Sequence, residues 1–213
     1  MAYDLEEQEK LDAIKQWWGR YGTPLLGLVA VALVVFAGWR GWQWYEGHRA
    51  SQAMGYFEAL EDAARQTGDD STARLKAAAQ TLREDFGGTA YAARGALVAA
   101  QALQERKETD AARQQLEWVA SGKDPALAAV ARLRLAGLLL DAGQYDQALA
   151  QLSSPPKAFA ALFDDRRGDV LAAQGKADEA RKAWEAALAA LGASHPLTPV
   201  VQLKIDALSG AQS

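Results

Sequence analysis

The sequence predicts an all-α protein: a single transmembrane helix followed by an α-solenoid of stacked helical hairpins. Three observations lead there. An uncharged apolar run near the start is bracketed by aromatic residues. The remainder is Ala-rich and amphipathic, broken by short turns that carry helix stop and start residues. A sequence pattern also recurs at fixed spacing in that remainder, as expected of a chain built from repeated helical units. With 213 residues there is room for one or two ordinary domains.

The first 20 residues, MAYDLEEQEKLDAIKQWWGR, carry five acids against three bases. A secretory leader begins short and positive, so this segment reads as an extension ahead of an uncleaved anchor. From Tyr21 to Trp39 there is no charge, and a span over 21–42 follows. Nineteen helical residues reach about 28 Å, close to the ~30 Å hydrocarbon core of a bilayer. The run is apolar all round rather than on one stripe, which separates it from the core helix of a soluble protein. Trp17 and Trp18 before it, and Trp39, Trp42, Trp44 and Tyr45 after it, form two interfacial belts, where an aromatic ring meets chain ends and its polar atom meets water. The basic residues flanking the span lean only slightly towards a cytoplasmic N-terminus. Gly19, Thr23 and Gly27 lie four apart, either as a seam for another membrane helix or as ordinary small residues of a span.

Residues 43–213 form the second domain. Helices are expected at about 48–66, 71–85, 90–105, 109–121, 125–141, 145–152, 158–173, 177–191 and 199–208. Asp124-Pro125 and Thr198-Pro199 each place a capping side chain before a Pro at the first helical position. Gly122, Gly143, Gly175 and Gly192 fall where helices should end. LRLAGLLLDAGQYDQALAQL (133–152) aligns with DRRGDVLAAQGKADEARKAW (165–184): Ala136 with Gly168, Gly143 with Gly175, Ala148 with Ala180 and Leu152 with Trp184. A fainter copy carries Ala100, Leu103, Lys107, Ala112 and Leu116, but has no glycine at the turn. The pattern resembles the tetratricopeptide repeat, in which small residues let paired helices approach and large ones fill the groove between them. Ala136, Ala148, Gly168, Ala180 and Trp184 are then the packing positions. Helices 48–66 and 71–85 are read as a degenerate capping pair, and 199–208 as the seal at the other end.

No site for chemistry emerges. Without cysteine there is no thiolate metal site, disulfide or cysteine nucleophile. His48 and His195 have no ligand spacing to other residues. Asp85-Phe86-Gly87 lacks the motifs that accompany it in kinases, and Gly168…Gly175-Lys176 fails the phosphate-loop pattern. Net charge is −4 with scattered Lys and Arg, against nucleic-acid binding. The reading is of a non-enzyme with no cofactor, no metal and no small-molecule substrate. Stacked hairpins offer instead a concave surface for a peptide or helix. In the repeat frame, Arg94, Leu97, Gln101, Leu133, Leu140, Asp165 and Asp169 point towards it.

Ala13-Ile14-Lys15 with Trp17-Trp18, the span, Gly38-Trp39-Arg40, and the block from Arg166 through Gly168-Asp169-Val170-Leu171, Gly175-Lys176 and Ala180-Arg181 to Ala183-Trp184-Glu185-Ala186 together resemble the YfgM-like family, ancillary subunits of the SecYEG translocon of Gram-negative bacteria. That resemblance implies an inner-membrane protein with a cytoplasmic N-terminus and periplasmic repeats. It also implies partnership with SecYEG and the membrane-anchored periplasmic chaperone PpiD, assisting secreted or membrane proteins as they emerge. The alternative is a general cell-envelope scaffold that uses the groove without touching translocating chains.

Overall fold

A computed structural model provides the structure of the chain; it describes residues 2–210, with side chains described for residues 9–208. Every regular element among the described residues is a helix: α1 Ala2–Arg65, α2 Asp69–Phe86, α3 Ala90–Glu105, α4 Thr109–Ala120, α5 Pro125–Asp141, α6 Tyr145–Gln151, a 3-10 turn Lys157–Phe159, α7 Ala160–Ala173, α8 Ala177–Leu191 and α9 Thr198–Gly210. The chain divides into two compact units between Ser51 and Gln52. The fresh helix expected near residue 48 is instead assigned as part of α1. Between Gln43 and Ala50 the one weak helix former is Gly47, whose cost of ~1 kcal/mol relative to Ala does not by itself end a helix.

The first unit contains a helix long and apolar enough to cross a membrane. Leu28, Val31, Leu33, Val34, Val35 and Phe36 are all exposed. Pro24 lies inside the helix and removes one backbone donor. Such prolines are tolerated in membrane helices, where neighbouring groups satisfy the freed carbonyl again.

In the second unit, each helix from α2 to α9 packs against its successor in sequence, and α3, α5 and α7 also touch along a row. The hairpins α3/α4, α5/α6 and α7/α8 are therefore the repeats. Ala136, Ala148 and Ala180 are fully buried, as close-approach positions should be. The earliest copy keeps the same frame, with Ala112 and Leu103 fully buried and Ala100 and Leu116 nearly so. Its turn also has the same geometry. Gly143 and Gly175 take φ of 70° and 77°, and Lys107, where glycine is missing, takes 62°. In all three the following residue closes the turn: Gln144 N donates to Leu139 O, Lys176 N to Leu171 O and Glu108 N to Leu103 O. These are the hydrogen bonds of a helix ended by a left-handed residue.

Equivalent positions lie 36 residues apart between the first and second copies but 32 between the second and third. The difference arises in α6, which has 7 residues where α4 has 12. Ser153-Ser154-Pro155-Pro156 stops it early, because a residue before Pro is pushed out of the helical region and Pro has no donor. The freed carbonyls are met by arginines: Arg132 donates to Gln151 O, Ser153 O and Ser154 O, and Arg167 to Leu152 O. Asp124 caps α5 as expected, its Oδ1 accepting from Ala126 N at 2.9 Å and Leu127 N at 3.1 Å. Thr198 does not cap α9. It lies within that helix and its hydroxyl donates to Gly192 O at 2.7 Å, tying the connecting loop.

Gln52–Arg65 and α2 close the start of the repeats. Tyr56 and Phe57 reach Phe86 and Tyr91 with ring centroids 5.5 and 5.7 Å apart. Arg106 donates to Ala63 O, Ala64 O and Gln66 O, satisfying the end of α1. Most buried side chains form one core running from Ala53 to Val170. Leu171, Ala180, Ala183, Trp184, Ala187 and Val201 form a second, smaller one.

Candidate functional site

The α3–α5–α7 row carries a polar network that crosses from helix to helix. Arg134 on α5 donates to Leu97 O on α3 at 3.2 Å. Gly137 on α5 leaves room for the Arg166 guanidinium of α7, which would lie 3.8 Å from a Cβ placed there. Arg166 in turn approaches Asp169 Oδ2 at 3.5 Å. Among the residues proposed from sequence, Arg94 and Gln101 are exposed on α3, with Gln101 donating to Glu105 at 3.2 Å. Leu97 is buried, and Leu133 and Leu140 are half-buried on α5.

Asp165 and Asp169 have the most developed surroundings. They stand one turn apart on α7, and a single ammonium bridges them: Lys204 Nζ of α9 lies 2.6 Å from Asp165 Oδ1 and 2.7 Å from Asp169 Oδ1. The Trp184 indole N–H donates to Asp165 O at 3.1 Å and to Asp169 Oδ1 at 3.2 Å. Its ring centroid lies 6.0 Å from Lys204 Nζ, within range of a cation–π contact. Trp184 can sit there because Gly168 has no side chain. A Cβ at that position would lie 2.8 Å from Trp184 Cε2 and closer still to Cδ1 and Nε1. One repeat-packing pair thus builds the floor of an acidic cup.

The aromatic belts lie in the first unit, where all six residues, Trp17, Trp18, Trp39, Trp42, Trp44 and Tyr45, are exposed. Neighbouring rings associate along the helix, Trp42 with Tyr45 at 6.2 Å and Trp44 stacked on His48 at 5.7 Å. A Cβ on Gly19 or Gly27 would meet nothing within 4 Å, and Thr23 is exposed. Trp18 folds over Gly22 instead, its ring 3.1 Å from where a Cβ would stand.

Among the described residues, no group of three or more His, Cys, Asp or Glu side chains is placed to hold a metal ion. The polar groups of the row are engaged with one another, as hydrogen bonds and ion pairs between neighbouring helices. Lys204 and Arg134 escaped the sequence reading as members of the network. Nothing in their spacing connects them to α7 or α3, since the contacts form only after the helices stack.

The chain matches the family described as Tetratricopeptide repeat-like domain over residues 15–210. It is 33% identical over 211 residues to a protein of Neisseria gonorrhoeae named Ancillary SecYEG translocon subunit, covering 98% of this chain and all of that one. Proteins of the same name from Escherichia coli and Haemophilus influenzae are 30% and 26% identical, over 95% and 88% of this chain and 97% and 91% of theirs. No solved structure matches it.

Proposed function

The chain belongs to the tetratricopeptide repeat-like family that includes the ancillary SecYEG translocon subunits, and from that premise we propose that it is itself an ancillary subunit of the SecYEG translocon. Its apolar helix anchors it in the inner membrane with the N-terminus in the cytoplasm, and its repeats stand in the periplasm, beside emerging chains. There the repeat row engages a membrane-anchored chaperone of the PpiD type. The observation carrying this reading is the extent of the likeness: the matched residues take in the apolar helix and every repeat helix together. A bare repeat domain shares its fold with proteins of many functions, and fold alone would not carry the assignment. The division of labour follows from tethering. A single span confines the repeats to the bilayer surface and raises their effective concentration towards other membrane proteins.

The test is affinity purification from detergent-solubilised membranes with three tagged proteins: the full chain, residues 48–213 behind an unrelated membrane span, and the anchor alone. SecYEG should follow the full chain and depend most on the native anchor, while PpiD should depend more on the repeats. An envelope scaffold that ignores the translocon would recover other periplasmic proteins and no SecYEG. Equal SecYEG recovery with the unrelated span would reduce Gly19, Thr23 and Gly27 to ordinary residues of a span.

A further inference from the structure

Asp165 and Asp169 are largely covered, with side-chain exposures of 19% and 18%. Two like charges one turn apart on a helix repel each other, and withdrawing them from water without a cation is strongly unfavourable. The chain supplies that cation from α9. The helix that brings it is lightly held. Among its described residues Val201 is the one fully buried side chain, with Ile205 and Leu208 packed partly against the smaller core. Terminal units of repeat arrays usually turn a polar face to solvent, yet α9 leaves Val200 and Leu203 exposed at 49% and 68%. It is joined to α8 by Gly192–Leu197, where Gly192 takes φ 78°.

We propose that the cup formed by Asp165, Asp169 and Trp184 is a docking site for a partner's amphipathic helix bearing a lysine, and that α9 is the chain's own occupant, displaced when such a helix binds. The occupant specifies the partner's chemistry. Val201, Lys204, Ile205 and Leu208 lie at i, i+3, i+4 and i+7, the spacing with which a helix anchors in a groove. The lysine must sit among apolar residues, because its ammonium meets two carboxylates and an indole face while its neighbours meet the Leu188, Leu191 and Trp184 cluster. A short tether gives α9 an effective concentration in the millimolar range, so weak ligands are excluded and membrane-confined ones can compete. This goes beyond translocon association and is measured without the translocon.

The probe is a fluorescent synthetic peptide of residues 197–210, titrated by anisotropy into the full-length protein in detergent micelles, with empty micelles as the blank. Lys204→Ala in the protein weakens the internal competitor and should tighten peptide binding about tenfold or more relative to wild type. Adding Asp165→Asn and Asp169→Asn to that variant, or using a peptide with Lys204→Ala, should abolish the gain. Equal binding by wild type and K204A, or by peptides with and without the lysine, would overturn the proposal. Loss of more helix in K204A than α9 contains, by circular dichroism, would mark α9 as a fixed part of the fold and overturn it as well. A wild-type dimer by sedimentation that dissociates in K204A would assign the cup to a second copy of this chain instead.

Discussion

Gly137 and Gly168 occupy the interiors of successive row helices, and alanine at each should change stability in opposite directions. Propensity alone favours both substitutions by about 1 kcal/mol, because alanine loses less backbone freedom than glycine in a helix. At Gly137 the new methyl would make ordinary contact, the nearest atoms being those of the Arg166 guanidinium at 3.8 Å. Gly137→Ala should therefore stabilise by about 1 kcal/mol. At Gly168 the methyl would stand 2.8 Å from Cε2 of a rigid indole that is itself buried. Overpacking of this kind costs ~1–3 kcal/mol. Moving the ring also strains its hydrogen bonds to Asp165 O and Asp169 Oδ1, worth ~0.5–1.5 kcal/mol each. The net effect should be a loss of about 1–3 kcal/mol, or roughly 2–4 °C in Tm per kcal/mol for a unit of this size. Thermal melts of the full chain in detergent should be followed at 222 nm, since five of the seven tryptophans lie in α1 and dominate fluorescence. Pairing Gly168→Ala with Trp184→Leu should relieve most of the clash. A Gly168→Ala protein as stable as Gly137→Ala would refute the packing of Trp184 on α7.

Three further outcomes follow from the same geometry. Lys107 pays for its left-handed φ of 62°, so Lys107→Gly should raise stability by about 1 kcal/mol in chemical denaturation. Ala148→Leu and Ala180→Leu should each cost about 1–3 kcal/mol while Ala186→Leu, on an exposed position of α8, should stay within ~0.5 kcal/mol, and equal melting of the three would contradict the repeat register. Gln115 is buried on α4 and its Oε1 accepts no hydrogen bond; Gln115→Met should therefore stabilise by about 1 kcal/mol, and a destabilised variant would mean that the amide is satisfied in solution.

Much of the fold was legible because it is written in local terms. The uncharged run after Tyr21, the glycines at 143 and 175, and the Asp124-Pro125 cap each act within a few residues of themselves, so sequence spacing suffices to find them. The faint first copy was harder because Lys107 stands at its turn, and only the backbone geometry shows that the turn is the same. The shift from 36 to 32 residues between copies had a readable cause in the two prolines after α6, though its effect is clear only once that helix is seen to stop. Thr198 had the right residue type for a cap but found a better acceptor in Gly192 O, a loop contact that a propensity argument cannot weigh. For the candidate site, Asp165 and Asp169 could be placed on one face of a helix from their spacing. Their partner Lys204 lies 39 residues from Asp165, beyond the reach of any periodicity.

Photo-crosslinking in intact membranes tests the central claim most directly. A photoreactive residue would be placed at Thr23 in the anchor and, separately, at Gln101 in the repeats, both exposed positions. An ancillary translocon subunit should give adducts with SecYEG from Thr23 and with a periplasmic chaperone or emerging chain from Gln101. Adducts from both positions that contain no SecYEG component, in membranes where the tagged protein and the translocon are both intact, would contradict it.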